Sequence, residues 1–388
     1  MRILIALTYY QPHTSGLTIY AVREARALVA LGHEVTVLTS QFRPDLPLEE
    51  VDQGVRIVRV PVAFHLSKGV IMPRLPFIAR RLLKDADVVN LHLPQFDSAL
   101  LSRLAKRQRK PVVLTYHCYL EMPRGLVSRL AGWAVHRTNR ISAGMADLIV
   151  HNTRDFAEHS PFLKRYMDKF EVVQPPIVVE PVGQAEVAAF KEKIHFQPGD
   201  RIIGMLTRLA SEKGVEYLVE ALPKIVAAVP GARVVFGGDY EHVLGEEAYR
   251  RKMMPLIAAL GARWQFLGLV TEAEKTALFE ISEVLVLPSI NSTESFGMAQ
   301  VEAMTCGTPA VATDLPGVRQ PVLSSGMGKI VPVRDADALA QAVIDVLQGQ
   351  VPAPEETVAE LKAHYAPETV ARVYETLFQE VLAKHDRK

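Results

Sequence analysis

Short apolar runs alternate with amphipathic segments along the first half of the chain. The runs "RILIALT", "EVTVLTS", "ADVVNLHL", "PVVLTYH" and "DLIVHNT" are separated by stretches such as "TIYAVREARALVALG" and "DSALLSRLAKRQ". The runs are rich in β-branched residues and predict strands, whereas the spacing of apolar positions in the longer stretches predicts helices. Such alternation is typical of a parallel sheet with helices on both faces.

The same pattern stops at residues 181–199, where proline and charge interrupt it, and then restarts. "RIIGMLT", "ARVVFGG", "RWQFLGLV", "EVLVLPS", "TPAVAT" and "GKIVPV" predict the strands of a second sheet. We therefore predict an α/β protein with two Rossmann-like domains, over residues 1–180 and 200–365, joined by a linker over 181–199. Residues 366–388 predict an amphipathic C-terminal helix, started by Pro367, which we expect to pack back on the first domain.

Composition narrows the class of protein. The chain has 388 residues, of which 49% are hydrophobic and 22% charged, which suits two globular domains with real cores. Cys118 and Cys306 are the only cysteines, and no Cys/His cluster has zinc spacing, so we expect no disulfide framework, no structural metal and a reducing, cytoplasmic setting. The start "MRILIALTYYQP" predicts a first strand rather than a signal peptide, and no apolar run predicts a membrane span.

Charge is divided unevenly between the two halves. Residues 1–180 hold 24 Lys and Arg against 16 Asp and Glu, a balance of +8, and the remainder has 20 against 27, a balance of −7. Two tracts of the first half, "HLSKGVIMPRLPFIARRLLK" and "MPRGLVSRLAGWAVHRTNR", interleave basic and large apolar residues. Their basic residues are Lys68, Arg74, Arg80, Arg81, Lys84, Arg124, Arg129, Arg137 and Arg140.

Basic residues among apolar ones are what an interfacial helix needs, so we expect the first domain to dock on an anionic membrane face. The alternative is that Leu126, Leu130 and Trp133, which recur at helical spacing, face the core, with the arginines on the solvated side. No pattern indicates a nucleic-acid partner.

Two glutamates flank a Phe-Gly pair in "TESFGMAQVEAMTCGTP", residues 293–309. If a helix begins near Phe296, Glu294 lies in the loop before it and Glu302 about two turns inside, roughly 10 Å away at 1.5 Å rise per residue. That distance is about the span from ribose to hexose in a nucleoside-diphosphate sugar. The alternative is a surface helix with two ordinary glutamates, but "AQVEAMTCG" is apolar, and an unpaired carboxylate there would be costly.

Backbone groups between the two glutamates suit a phosphate. The N–H groups at a helix start are unpaired and attract anions, and those expected here belong to Ser295, Phe296, Gly297 and Met298. Gly297 also allows the backbone to approach a ligand closely.

A pair of cations follows the first strand of the second domain. In "MLTRLASEKGVEYL", Arg208 and Lys213 lie in a loop before a helix, where they can converge on a diphosphate while the helix amino terminus adds positive potential. The alternative is a solvated basic loop. A dinucleotide oxidoreductase is disfavoured, because the loop "TYYQPHTSGL" lacks the GxGxxG spacing and no acidic residue marks a ribose site after the next strand.

These stretches carry a family resemblance. "SGLTIYAVREARALVALGHEVTVLT", "TRLASEKG", "FGGD", "FLGLV" and the Glu-x7-Glu block resemble the retaining glycosyltransferases of family 4, which have the GT-B fold. The resemblance covers nearly the whole chain. It implies two domains facing across a cleft, a nucleotide-sugar donor bound mainly by the second domain, with UDP favoured over GDP, and a glycan or lipid-linked acceptor bound mainly by the first. It also implies that no metal or other cofactor is required.

The resemblance also implies roles for individual residues. Arg208 and Lys213 would contact the diphosphate, with Gly16 near the phosphates. Glu294 would bind hydroxyls of the donor sugar, and Glu302 would bind the ribose. The acceptor hydroxyl would attack the donor sugar from the same face from which the diphosphate departs, and the leaving phosphate oxygen would take the acceptor proton. The role of the protein would then be to stabilise the charge that develops on the diphosphate.

Further candidates follow other strands. His117 of "VVLTYHCYL" matches the family histidine that faces the donor sugar, although a histidine ending an apolar strand is often a hydrogen-bonded core residue. Asp239 and Val270 lie at expected donor-side positions, where simple loop chemistry is the alternative. Three residues that end or follow first-domain strands are candidate acceptor contacts, with a structural role as the alternative: His13, His92 and Arg154.

Two positions depart from the family pattern. "VVQPPIVV" has Pro175 and Pro176 where many members have Asn-Gly, and the first loop has Ser15-Gly16 where a Gly-Gly pair is common. The "DAD" triplets at 85–87 and 335–337 suggest helix termini rather than metal ligands. A sugar-nucleotide epimerase and an inactive glycosyltransferase-like partner subunit remain as alternatives to glycosyl transfer.

Overall fold

The computed structural model describes residues 1–66, 69–119 and 126–387. The chain separates into two compact units. The first unit combines Met1–Pro176 with Tyr365–Lys388, and the second unit is Ile177–His364.

The first unit is built on a sheet whose described strands run in the order β10-β9-β8-β7-β1-β2-β4-β3, parallel except for β3 against β4. Its strands are β1 (Arg2–Ala6), β2 (Glu34–Gln41), β3 (Glu49–Asp52), β4 (Val55–Pro61), β5 (Phe64–Leu66), β6 (Gly69–Ile71), β7 (Val88–Leu93), β8 (Val112–Tyr116), β9 (Leu148–His151) and β10 (Phe170–Val172). Strands β5 and β6 form a separate antiparallel hairpin. Its helices, numbered along the whole chain, are α1 (Gly16–Ala30), α2 (Leu75–Asp85), α3 (Ser98–Arg107), α4 (Leu126–Met145), α5 (Arg154–His159) and α14 (Pro367–Asp386).

Helices cover both faces of this sheet, which is why β7 and β8 are buried along their whole length. On one face the core contains Leu82 of α2 and Leu101 of α3. On the other face it contains Leu28 of α1 and Phe378 of α14. The expectation that the C-terminal helix packs on the first domain is confirmed.

The second unit has a parallel sheet whose described strands run in the order β13-β12-β11-β14-β15-β16. Its strands are β11 (Arg201–Leu206), β12 (Ala232–Gly237), β13 (Trp264–Gly268), β14 (Val284–Leu287), β15 (Ala310–Thr313) and β16 (Gly328–Val331). Its helices are α6 (Gln184–Lys193), α7 (Val215–Ala228), α8 (Glu247–Ala258), α9 (Glu272–Ile281), α10 (Met298–Thr305), α11 (Gln320–Ser325), α12 (Ala336–Leu347) and α13 (Glu355–His364).

The strand order reverses direction once in each sheet, at β1/β7 in the first unit and at β11/β14 in the second. The crevice at the carboxyl ends of strands flanking such a reversal is where open parallel sheets bind ligands. The loops after these four strands are therefore the places to look for a site in each unit.

The predicted linker is helical in the structure. Residues 184–193 form α6, and Phe190 and Ile194 are buried beside Leu278 of α9. Charged positions on the outer side of α6 concealed this from the sequence pattern, because the helix buries only a narrow stripe.

The two "DAD" triplets end and begin helices, as predicted. Asp85 is the last residue of α2. The carboxylate of Asp335 caps α12 by accepting from the N–H of Ala338 at 2.8 Å.

Candidate functional site

The loops after β11 and β14 meet in the second unit. Lys213 Nζ donates to Glu294 Oε2 at 2.6 Å, so two residues 81 positions apart form an ion pair. The approach depends on Gly214, which has φ +63, because a Cβ there would lie 2.1 Å from the carbonyl oxygen of Pro288. The N–H of Ile290 also donates to the carbonyl of Glu212 at 3.0 Å. The backbone thus places a cation and a carboxylate at the strand-order reversal.

Arg208 lies in the same loop but is held differently. Its guanidinium donates to Glu212 at 2.6 Å, and its side chain is half exposed, whereas the Lys213 and Glu294 side chains are 17% and 16% exposed. Sequence reasoning did not single out Glu212, although its place four residues after Arg208 is the spacing of a helical ion pair. Lys213 is the better-fixed of the two cations.

Helix α10 begins at Met298 rather than near Phe296. Gly297 precedes it with φ +81, and a Cβ at this position would lie 2.4 Å from Leu287 Cδ2. Gln300 holds the turn, donating from Nε2 to the carbonyls of Phe296 at 2.6 Å and Val318 at 2.8 Å. The helix amino terminus therefore starts two residues later than expected, and Ser295 and the buried Phe296 lie in the turn before it.

Glu302 is the fifth residue of α10 and is therefore about one turn inside the helix, not two. It is 6% exposed, and Lys275 Nζ of α9, itself 7% exposed as a residue, lies 3.7 Å from Glu302 Oε1. The same Nζ donates to Glu272 at 2.5 Å, so the lysine is shared between two carboxylates and Glu302 is the more distant one. Sequence reasoning missed Lys275, whose one signal was a single lysine within the apolar stretch "KTALF".

Asp239 and Val270 follow β12 and β13 at the same edge of the sheet. Asp239 Oδ1 accepts from the N–H groups of Glu241 and His242 at 3.0 Å each, so its carboxylate shapes its own turn. Val270 is partly buried just before Thr271, the capping residue of α9. Asp239 thus has the structural role in its loop that was the alternative to donor binding. The donor-binding roles of Asp239 and Val270 stay predictions.

In the first unit, the carboxyl ends of β7 and β8 bring two histidines together. His92 Nδ1 lies 2.9 Å from His117 Nε2, and their rings stack with centroids 5.1 Å apart. On the far side, His92 Nε2 lies 3.2 Å from Glu24 Oε2 of α1, without the geometry of a hydrogen bond. All three residues are buried.

A shell of polar side chains surrounds this row. Asn90 donates to Glu24 Oε1 at 2.8 Å and accepts from Thr115 at 2.9 Å. The hydroxyl of Tyr374 on α14 lies 3.0 Å from that of Thr115 and 2.8 Å from that of Tyr20. Burial holds the pKa of His117 well below its usual range, so this ring is neutral near pH 7.

This arrangement changes the role expected for His92. Its side chain is fully buried and lies between Glu24 and His117, so it is not a surface contact for an acceptor. Glu24 was not predicted from the sequence. Its signal was an acidic residue on the face of "TIYAVREARALVALG" that carries the apolar positions Tyr20 and Leu28.

The remaining first-unit candidates lie apart from this row. His13, in the loop after β1, stacks on Tyr9 at 4.8 Å between centroids and meets Phe42 edge-on at 5.7 Å. Gly16 is the exposed first residue of α1. Arg154 begins α5 after β9, with its guanidinium carbon 5.8 Å from the centre of the Phe170 ring. Their ligand roles stay predictions.

The basic tract of α2 is exposed. Arg74, Arg80, Arg81 and Lys84 face solvent, and Phe77 beside them is 78% exposed. Trp133 on α4 is 67% exposed, which contradicts the alternative that it faces the core. Lys68 and Arg124 lie outside the described residues, as do the side chains of Leu126, Arg129 and Leu130.

The described residues contain neither a metal-binding cluster nor a membrane-spanning helix. Across residues 1–66, 69–119 and 126–387, no group of three or more His, Cys, Asp or Glu side chains is arranged to hold a metal ion. In the same part of the chain, each helix is either too short or too polar to cross a membrane.

Known proteins share both halves of this architecture. The family described as "Glycosyl transferase 4-like domain" matches residues 15–176, and that described as "Glycosyl transferases group 1" matches residues 186–363. The phosphatidyl-myo-inositol mannosyltransferase of Mycolicibacterium smegmatis is 28% identical, covering 97% of this chain and 94% of that protein. The 2-deoxystreptamine N-acetyl-D-glucosaminyltransferase of Streptomyces fradiae is also 28% identical, covering 93% and 90%.

Solved structures of known proteins also share this fold. Anabaena HepE in complex with UDP-glucose superposes with a TM-score of 0.74 at 16% identity, covering 99% of this chain and 100% of that one. The fold is that of the GT-B glycosyltransferases. The chain belongs to the group 1 glycosyltransferases of family 4, which confirms the resemblance read from its motifs.

Proposed function

We propose that this protein transfers a hexosyl group from a nucleoside-diphosphate sugar to a hydroxyl of a glycan, lipid-linked glycan or glycolipid, with retention of configuration. The observation that carries the proposal is the 2.6 Å contact between Lys213 and Glu294 at the strand-order reversal of the second unit. A cation and a carboxylate side by side offer one group for a phosphate and one for sugar hydroxyls. Support for the donor comes from HepE, whose structure holds UDP-glucose.

Lys213 and Glu294 form an ion pair in a partly buried position. We propose that an incoming diphosphate takes over Lys213, since phosphate carries more charge than one carboxylate, and that Glu294 then accepts from donor-sugar hydroxyls. Glu302 would bind the ribose, and Arg208 would add a second charge to the diphosphate.

Catalysis would then be electrostatic. Negative charge grows on the leaving diphosphate as the glycosidic bond breaks, and Lys213 with Arg208 would stabilise it more in the transition state than in the bound substrate. The leaving phosphate oxygen would take the acceptor proton as the acceptor attacks the same face. This scheme requires neither a protein nucleophile nor a metal, and UDP is favoured over GDP as the nucleotide.

The acceptor would lie on the first unit. The Mycolicibacterium relative is named for a phosphatidylinositol acceptor, and the Streptomyces relative for an aminocyclitol. The exposed basic residues and Phe77 of α2 favour the lipid-borne class. We propose a cytoplasmic enzyme that docks peripherally on the inner face of the membrane.

Two successive experiments test the proposal, the first on nucleotide binding and the second on glycosyl transfer. A thermal-shift panel of nucleoside diphosphates and their sugars should single out one base, because a ligand at 100 times its Kd adds about 2.7 kcal/mol to the free energy of unfolding. The selected sugar nucleotide, labelled in the sugar, is then incubated with glycolipid and glycan acceptors in EDTA. We expect a product with the donor's anomeric configuration. An inverted product, or activity lost in EDTA and restored by manganese, contradicts the proposal.

A further inference from the structure

A buried glutamine contacts the turn that follows Glu294 and has no part in the proposed chemistry. Gln300 is the third residue of α10 and is fully buried. Its Nε2 donates to the carbonyl of Phe296 at 2.6 Å and to that of Val318 at 2.8 Å. Reversing the amide would place Oε1 against two carbonyl oxygens, so the NH2 group must face them. Both amide protons are therefore used, one for each carbonyl.

The side chain of Gln300 replaces a backbone hydrogen bond at the start of α10. In a regular helix the N–H of Gln300 would donate to the carbonyl four residues earlier, which is that of Phe296. Gly297 has φ +81, and the N–H of Gln300 donates to its carbonyl instead, at 3.1 Å. The amide then supplies the donor for Phe296, which keeps the left-handed turn closed.

The same amide joins this turn to the segment after β15. Val318 lies in that segment and is buried. At the end of β15, Thr313 Oγ1 donates to the carbonyl of Ser289 at 2.6 Å. The loop between β14 and α10 is thus fastened near both ends, at Ser289 and at Phe296. Glu294 lies between these two points.

We propose that Gln300 is a positioning residue whose side-chain amide fixes the loop that carries Glu294, so that Glu294 stays beside Lys213 and can reach hydroxyls of the donor sugar. The inference rests on the proposed function for the ligand of Glu294, whereas the fastening of the loop is a property of the free protein. Without the amide, the carbonyls of Phe296 and Val318 would each lose a donor, which is costly for buried residues and favours a rearranged turn.

Hydrogen–deuterium exchange of the free protein tests the fastening. Gln300→Met removes the donors and keeps a side chain of similar length, so exchange should quicken in the peptides covering 291–297 and 314–319. The matched control is Thr308→Val. Thr308 is also buried and donates to the carbonyl of Phe279 at 2.6 Å, but it precedes β15 at the opposite edge of the sheet. This control should leave exchange in both peptides unchanged.

Calorimetric binding supplies the second measurement, with the sugar nucleotide selected by the thermal-shift panel. Gln300→Met should weaken its binding about tenfold more than that of the free nucleoside diphosphate, because only the sugar nucleotide carries the hydroxyls that Glu294 would bind. Thr308→Val should change neither Kd. Equal weakening of both ligands in Gln300→Met would overturn the inference.

A double substitution shows whether Gln300 acts through Glu294. In a chain that already carries Glu294→Gln, adding Gln300→Met should cost little further affinity for the sugar nucleotide, since the carboxylate that Gln300 positions is gone. A side chain that acts independently of Glu294 would lower the affinity by the same factor in both backgrounds, and that result would contradict the proposal.

The unsubstituted protein offers a test that needs no variant. The side-chain NH2 of Gln300, identified in NMR spectra by its proximity to the methyl groups of Val318, should exchange slowly with water. Fast exchange overturns the inference even if Gln300→Met fails to fold, and so does unchanged exchange of both peptides in a folded Gln300→Met. If the peptides respond but no sugar nucleotide binds, the fastening of the loop by Gln300 stands and the proposed function falls.

Discussion

The two units hold their candidate functional side chains in opposite ways. In the second unit, Lys213 and Glu294 are paired at loop ends and are partly exposed. In the first unit, Glu24, His92 and His117 form a row inside the sheet–helix interface. A pair near the surface can exchange partners when a charged ligand arrives. A buried row cannot, because its members are packed between α1 and the sheet.

The largest expected effect breaks the exchangeable pair. Lys213→Ala removes a cation from the leaving diphosphate, and the loss of one preorganised oxyanion donor costs about 2.7–4 kcal/mol of barrier, or a factor of about 10² to 10³ in kcat. The matched control is Lys224→Ala, whose exposed pair with Asp337 should contribute little to stability or turnover. Steady-state kinetics of both variants make the comparison.

A substitution of Glu294, the other member of the pair, tests its proposed contact with the donor sugar. Glu294→Gln should raise the KM for the sugar nucleotide and spare the Kd of the free nucleoside diphosphate. Equal weakening of both ligands would show that Glu294 does not bind the sugar.

Acid should destabilise the first unit before the second. Burial lowers the pKa of His151 to about 4 and that of His117 well below its usual range. The unfolded chain binds these protons near pH 6.5, so stability is complete above that pH and falls as the pH drops toward 4, by about 1.4 kcal/mol per pH unit for each histidine. Burial raises the pKa of Asp97 to about 6, which works in the opposite direction and offsets one of the two.

The second unit should lose less stability between about pH 6.5 and pH 4.5. Its paired carboxylates Glu274 and Asp345 have lowered pKa values because of Lys193 and Lys329, so their contributions are lost only below about pH 4.5. Urea unfolding at pH 7 and pH 5, read by pulsed hydrogen exchange at one labelling pH, distinguishes peptides of the two units. We expect the midpoint of the first unit to fall further; equal shifts would contradict the assignment of the burial effect.

The smallest expected effect is on membrane binding by the exposed basic residues of α2. Each cation near an anionic membrane contributes about 1 kcal/mol, so Arg80→Glu with Arg81→Glu should weaken binding to anionic liposomes at low salt. The control variant replaces Arg251 and Lys252, an exposed basic pair on α8 of the second unit, with glutamate. Co-sedimentation should fall for the α2 variant alone. A protein that does not bind anionic vesicles at low salt favours a soluble acceptor.

The sequence predicted the fold well because its signals were local. Strand runs and helical spacing specified both sheets, and Pro367 marked the start of α14. The offset of α10 was missed because Gly297 looks the same whether it begins a helix or precedes it; only the structure shows its φ of +81 and the close approach of Leu287 on another element. Residue type alone did not reveal that contact.

The site was predicted only as far as each residue could be considered alone. Lys213 and Glu294 were both singled out, but nothing indicated that they pair across 81 positions. Glu24 and Lys275 were missed because a charged residue in a helix usually faces water, and only packing shows which ones are buried.

The return of α14 to the first unit has a consequence for synthesis. Tyr374 and Phe378 complete a core whose other members, such as Tyr20 and Leu28, leave the ribosome about 350 residues earlier. The entire second unit emerges in between and can close around its own sheet first, because domains fold as units while the chain grows. The nascent first unit must therefore wait with only α1 on one face of its sheet, and we expect it to be the part of the polypeptide most in need of a chaperone.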